Sequence, residues 1–270
     1  MKQIASIIYL HAITPVHSGT GSVADVIDLP VAREKATGYP MIPSSSLKGV
    51  LRSETSEEKR GALFGDKDSA GSLCLTDMRI LCLPVRSYYG TFAWVTSPFS
   101  LTRLYRDAKA MGCTAKFLAV PIVGNTDILL TETSALEKDS KVYLDDLDFT
   151  AKTDTTTKLI ARSFAEDIFK DDTDTFVSRF AIVSDNLFSF LCETGTEVAA
   201  RIKLNEDTKT APAGGLWYEE SVPAESIFYG MALQNSGEEV SFPTVIQIGG
   251  DSSVGRGLCR LIIPNMEVKA

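Results

Sequence analysis

"PSSSLKGVLRSET", residues 43–55, reads as the start of a helix, and that reading makes the chain α+β rather than all-β. A serine is expected as N-cap, and Leu47, Val50 and Leu51 repeat at i, i+3 and i+4. Lys48 and Arg52 stand four apart, on one face and off the apolar stripe. Gly49 between them weakens a helix but lets another group approach the backbone closely. Upstream, "QIASIIYLHAI" at 3–13 is expected to be a buried strand that ends at Thr14-Pro15. Downstream, "GSLCLTDMRILCLPVRS" and "GTFAWVTS" predict two strands joined through Tyr88-Tyr89-Gly90. Ser97-Pro98 opens a further helix, with Leu101, Leu104, Tyr105, Ala108 and Met111 as its stripe and Gly112 at its end.

Later segments continue the pattern. "SDNLFSFLCE" predicts a short helix that closes near Gly195. "TEVAARIKLN" alternates, with Val198, Ala200, Ile202 and Leu204 expected inward and Arg201 and Lys203 outward. "ESIFYGMAL", "TVIQIGG" and "LCRLII" complete the strands. Residues 113–195 are read as an insertion within a single domain spanning 1–270, rather than as a second domain. The order β, α, β, β, α and then more strands points to an α+β domain of ferredoxin-like type, which presents an open sheet face.

The chain has 270 residues, 44% hydrophobic and 23% charged, with a net charge of −8. Such a charge argues against coating nucleic acid with the whole surface, but leaves room for a local basic groove. No apolar run approaches the ~20 residues that span a bilayer. The N-terminal run is interrupted by Ser6, Tyr9 and His11, so it reads as a strand rather than a signal peptide, in a cytoplasmic protein. Five scattered cysteines show no zinc spacing and read as free thiols.

Three constellations rise above background, and a fourth stretch, "GLWYEE", is weighed beside them. In "HSGTGSVADVIDLP", residues 17–30, a carboxylate such as Asp25 or Asp28 could hold a hard divalent cation, and His17 could move protons. Spacing alone favours a plainer reading, with Asp28 capping a turn before Pro30 and His17 exposed. Lys48 and Arg52, with Arg33 and Lys35, could cradle phosphate; a solvated helix face explains them equally well. "IGGDSSVGRGLCRL" places Gly249, Gly250, Gly255 and Gly257 around Arg256. It is neither a dinucleotide fingerprint nor a P-loop, and its backbone N–H groups could form an anion-binding nest. In "GLWYEE", Trp217 or Tyr218 could stack on a base and Glu219 or Glu220 could hold metal, though such a stretch is more often a strand edge with an acidic end.

Together, "TPVHSGTG…DVIDLPVAREKATGYPMIPSSSLKGVLR", "RIKLNEDTKTAPAGGLWYEESVPAESIFY" and "IQIGGDSSVGRG" resemble the backbone subunit of the type III-B CRISPR effector, the Cmr complex, of the RAMP superfamily. The resemblance implies an RRM-like palm with a thumb-like projection. It implies copies stacked as a helical filament on guide RNA beside other subunits of the complex. Single-stranded target RNA paired to the guide would be cut by a metal-dependent endoribonuclease reaction, with Mg²⁺ or Mn²⁺ as cofactor. On this resemblance Asp28 is the residue required for cleavage and a metal ligand, and His17 is the loop histidine. Lys48 is the lysine that contacts guide RNA. Arg52, Arg33, Gly249, Gly250, Gly255, Arg256 and Gly257 are expected along the RNA, with Glu219 or Glu220 as a further metal ligand. Ala36 and Ser44 depart from the family, which often has histidine and glycine there. Three alternatives remain: a non-catalytic RNA-binding subunit, a metal-independent RAMP endonuclease that processes precursor guide RNA, and a glycine-loop nucleotide enzyme.

Overall fold

The computed structural model describes residues 3–22, 26–113, 119–205, 207–212, 214–235 and 241–264. At its centre lies β1 (Gln3–Ala12). Its apolar run is continuous because both faces are covered. Ile8 and Leu10 enter one core and Tyr9 the other, as alternate side chains of a strand must. A long connection leads through β2 (Met41–Ile42) to α1 (Ser44–Glu54) and α2 (Glu57–Phe64). Next come β3 (Leu73–Leu75), β4 (Met78–Arg86), β5 (Phe92–Thr96) and α3 (Pro98–Ala110). The middle of the chain forms β6 (Asp127–Leu130), β7 (Lys141–Leu144), β8 (Leu147–Thr153) and α4 (Thr155–Ile168). It continues with α5 (Thr173–Arg179), β9 (Phe180–Ile182) and α6 (Asp185–Thr194). The last elements are β10 (Glu197–Ile202), β11 (Leu216–Ser221), β12 (Ile227–Asn235), β13 (Val245–Gln247) and β14 (Leu258–Ile262).

One mixed, mostly antiparallel sheet runs β13-β14-β1-β12-β4-β5-β9-β6-β8-β7, with β2 added on β4 and β3 on β12. β10 and β11 form a separate two-stranded hairpin. The stretch 113–195, apart from 114–118, which lie outside the described residues, supplies β6 to β9 to that same sheet. Its Phe164, Phe176 and Phe180 share a core with Tyr9.

α1 begins where its spacing predicts, but its cap differs. Pro43 holds the cap position without a side-chain bond, and the Ser44 N–H donates to Asp77 Oδ1 at 2.7 Å. A carboxylate from the β3–β4 turn thus satisfies the helix end from outside, where it also complements the dipole. Leu47 and Leu51 are buried, and Lys48 remains exposed. α3 and α6 follow expectation, with Ser97 and Ser184 accepting from the Ser100 and Leu187 N–H groups.

β10 overturns its reading. Val198, Ile202 and Leu204 are 50%, 57% and 47% exposed. The alternation is a true strand period, but its apolar side faces away from the body. Among the described residues no helix is long and apolar enough to cross a membrane, and all five cysteines are free.

Candidate functional site

The segment leaving β1 is not a free loop. Val16 exchanges backbone bonds with Val222 at 2.8 and 2.9 Å. Farther on, the Leu29 N–H donates to the Tyr218 carbonyl at 3.1 Å and the Glu220 N–H to the Leu29 carbonyl at 3.0 Å. Residues around Leu29 therefore line the edge of β11 that β10 leaves open.

That edge brings two predicted residues together. Asp28 Oδ2 accepts from the Tyr218 N–H at 2.7 Å, and His17 Nδ1 lies 2.6 Å from the Glu220 carbonyl oxygen. A carbonyl only accepts, so Nδ1 carries the proton, and in neutral His17 the bare nitrogen is Nε2. Residues 218 and 220 are two apart on one strand, so the two anchors stand roughly 7 Å apart. Asp28 keeps one carboxylate oxygen without a hydrogen bond or ion pair among the described residues. Asp25 lies outside the described residues.

The glycine loop between β13 and β14 clamps this segment. The Gly250 N–H donates to the His17 carbonyl and the Gly257 N–H to the Pro15 carbonyl, both at 2.8 Å. A Cβ on Gly249 would collide with the His17 carbonyl and one on Gly257 with the Ile248 carbonyl, and both residues have positive φ, 87° and 78° respectively. The Gly255 N–H is taken by the Ser252 carbonyl. The expected anion nest is thus largely spent on the chain's own backbone; the glycines seat His17. Arg256 turns inward as well, donating to Ser221 Oγ at 2.7 Å, with Glu197 at 3.7 Å.

Two adjacent carboxylates have separate duties. Glu220 is 2% exposed. Its Oε1 accepts from Arg33 at 2.5 Å and Thr196 at 2.7 Å, and its Oε2 from the Val31 N–H at 2.9 Å. Arg33 also donates to the Gly38 and Cys192 carbonyls. This pair locks the loop to the hairpin and engages both Glu220 oxygens. Arg33 is correspondingly tied into the fold rather than projecting as an open phosphate ligand. Glu219 points to the other face of β11. It is buried, with Oε1 unpartnered among the described residues and Arg201 Nε 3.5 Å from Oε2. Arg201 also reaches Asp251 at 3.4 Å. Burial, then the hydrogen bond with Asp251, pushes the Glu219 carboxyl above its usual range. The same bond holds Asp251 below its own. A proton shared by the pair therefore sits on Glu219 rather than on Asp251. Asp251, which the sequence reading did not single out, sits at φ 59° directly after the glycine pair; an aspartate there was the only available signal.

Lys48 and Arg52 line a separate cleft of about 910 Å³ with Ser44, Ser45 and Lys67. Arg52 donates to the Gly65 carbonyl at 2.6 Å, and Lys48 is exposed. Trp217 is half-buried in the hairpin. Among the described residues no group of three His, Cys, Asp or Glu side chains could hold a metal ion. The unpartnered oxygen of Asp28 fits only a cation that draws most of its ligands from phosphate and water.

The family model of the RAMP superfamily matches residues 9–260. Over 288 aligned residues the chain is 33% identical to the "CRISPR system Cmr endoribonuclease Cmr4" of Pyrococcus furiosus, covering 96% of this chain and 95% of that protein. The chain belongs to the RAMP superfamily, in the Cmr4 family. The crystal structure of oligomeric Cmr4 from Pyrococcus furiosus superimposes with a TM-score of 0.78 at 28% identity, covering 98% of this chain and 99% of that one. A chain of the type III-B Cmr-beta complex bound to cognate target RNA shares the fold, with a TM-score of 0.73 at 20% identity and coverage of 96% and 97%.

Proposed function

We propose that this Cmr4-family chain is the guide-RNA-binding backbone subunit of a cytoplasmic type III-B CRISPR complex and cuts target RNA paired to the guide. The observation that carries the reading is its full-length relationship to a protein named a Cmr endoribonuclease. The oligomeric state named for the related crystal structure supports copies stacked head to tail, a contact that need not close into a ring. The antiparallel run β14-β1-β12-β4, with α1 crossing from β1 towards β4, is read as the ferredoxin-like palm. The β10–β11 hairpin, rather than residues 113–195, is read as the thumb.

In the proposed reaction the RNA supplies its own nucleophile. A 2′-OH attacks the neighbouring phosphorus, gives up its proton, and the 5′-oxygen leaves with a proton, so the products are a cyclic phosphate and a 5′-OH. Asp28, its rotamer set by the Tyr218 N–H, presents its second oxygen to the RNA as base or cation ligand. A divalent ion such as Mg²⁺ or Mn²⁺, when bound, supplies charge neutralisation at the phosphate, with Asp28 as its protein ligand. His17, held by the Glu220 carbonyl and the glycine loop, offers Nε2 for orientation or proton transfer. Lys48, with Arg52 behind it, holds the guide backbone, and the loop geometry accounts for most of the in-line positioning.

The test is cleavage of a guide-complementary RNA by the reconstituted complex carrying Asp28→Asn. Cleavage should disappear while guide binding persists; cutting at the wild-type rate refutes the assignment. The lack of a three-ligand cluster among the described residues favours one second reading, a loop that only wedges the duplex while another subunit cuts. Full activity of the Asp28→Asn complex is what that reading requires.

A further inference from the structure

The turn between β4 and β5 meets the turn between β7 and β8 at the far edge of the sheet. β7 is the terminal strand there, and the glycine loop adjoins β13 and β14 at the opposite edge. The two turns are bonded to each other: the Tyr88 N–H donates to the Tyr143 carbonyl at 3.1 Å and the Asp145 N–H to the Arg86 carbonyl at 2.9 Å. Between them lies a cavity of about 470 Å³ lined by Tyr88, Tyr89, Tyr143, Asp145, Asp146 and Asp148. The three rings stand 5.1, 6.3 and 6.5 Å apart, steeply inclined to one another. Tyr88 is 80% exposed, which leaves a large aromatic face in water at a place where the chain gains nothing from it.

The chemistry of this cavity is selective. Tyrosine faces attract cations, and carboxylates beside them add charge. The chain itself sets the Lys138 ammonium 5.8 Å from the Tyr89 ring centroid. Asp148 is paired with Lys141 at 2.7 Å, but Asp145 and Asp146 have no ion pair among the described residues. Carboxylates at the mouth repel a phosphate backbone, so the rings are poorly placed for RNA bases. A guanidinium satisfies both halves of the lining, since it stacks on aromatic faces and forks to carboxylates, whereas an ammonium is a compact, strongly hydrated point charge.

We propose that this cavity receives an arginine side chain of a partner protein that docks against the β7 edge. The site lies at the edge of the sheet opposite the glycine loop that holds His17.

The experiment uses the full chain with a tetra-arginine peptide, a tetra-lysine peptide and polyuridine RNA as probes, each titrated at low salt. The arginine peptide should bind several-fold more tightly than the lysine peptide. Tyr88→Ala, which changes no charge, should weaken the arginine peptide about fivefold, while Tyr88→Phe keeps most of the affinity and polyuridine binding stays constant. Asp146→Asn, on an exposed turn, provides a second variant if Tyr88→Ala fails to fold, and should weaken the same peptide. Unchanged affinity in the folded variants overturns the proposal, because the peptide is then drawn only by net charge. Loss of polyuridine binding in Tyr88→Ala overturns it too, because the rings then serve bases.

Discussion

In the body of the sheet, β1 encloses Ile8 and Leu10 completely, whereas the β10–β11 hairpin leaves Ile202 57% and Leu216 55% exposed while burying Glu219 and Glu220. Both regions are strands, and they obtain their stability in different ways. Removing apolar surface from water stabilises β1 directly, at about 25 cal/mol per Å². Burying a carboxylate is unfavourable unless partners replace the lost water. The hairpin therefore depends on the Glu220–Arg33–Thr196 network at its base, and its apolar face is left free for contacts beyond the chain. A segment organised in this way suits projection from a body better than support of one.

Single substitutions can break that contrast, and the largest effect is expected at the hairpin base. Glu220→Ala should cost on the order of 4 kcal/mol in urea unfolding, because Arg33 loses its buried partner. A loss below about 1 kcal/mol would show that the hairpin is anchored elsewhere. Leu10→Ala should cost about 3 kcal/mol through lost transfer energy and a cavity.

Glu219 should behave in the opposite sense to Glu220. Its folded-state pKa lies above the unfolded value, so its contribution is present at low pH and is lost as pH rises from the ordinary carboxylate range through the raised pKa. Asp251, shifted downward, contributes above the ordinary aspartate range and loses that contribution as pH falls through its lowered pKa. Glu219→Gln should thus relieve the loss on the alkaline side, read as thermal midpoints that fall less between acid and neutral pH than those of the wild type. An unaltered pH profile would remove Glu219 as the protonated member of the pair. Ile202→Ala should change stability by less than about 0.5 kcal/mol, as for any exposed position without a special contact. The smallest effect sharpens the RNA side: Lys48→Ala should lower the slope of log affinity against log salt by about 1 without changing stability.

Much of the local structure was legible in the sequence. Ser97-Pro98 and Ser184 announce helices because their caps and stripes are local, and residues 3–13 announce a buried strand. The α1 cap was not legible, since Asp77 reaches Ser44 from another element. Nor was the side of β10 that faces the body: period 2 identifies a strand but is silent about which face has a neighbour. Glu219 and Glu220 are chemically identical and adjacent, so only the register of β11 could give one to Arg33 and the other to Arg201. The glycines at 249 and 257 were visible as conformationally special, but what Gly249 approaches, the His17 carbonyl, and what the Gly257 N–H donates to, the Pro15 carbonyl, lie more than two hundred residues away in the chain.

The sequence by itself determined the locally capped helices, several of the strands, the α+β class and the family, because propensity, capping and motif spacing are properties of short stretches; the elements between 113 and 182 were not among them. Tertiary structure alone decided which side chains meet. Asp28 and His17 share the open edge of β11 only because residues 16 and 29 both pair with that end of the chain. Long-range backbone hydrogen bonds set that meeting, and no local pattern encodes them.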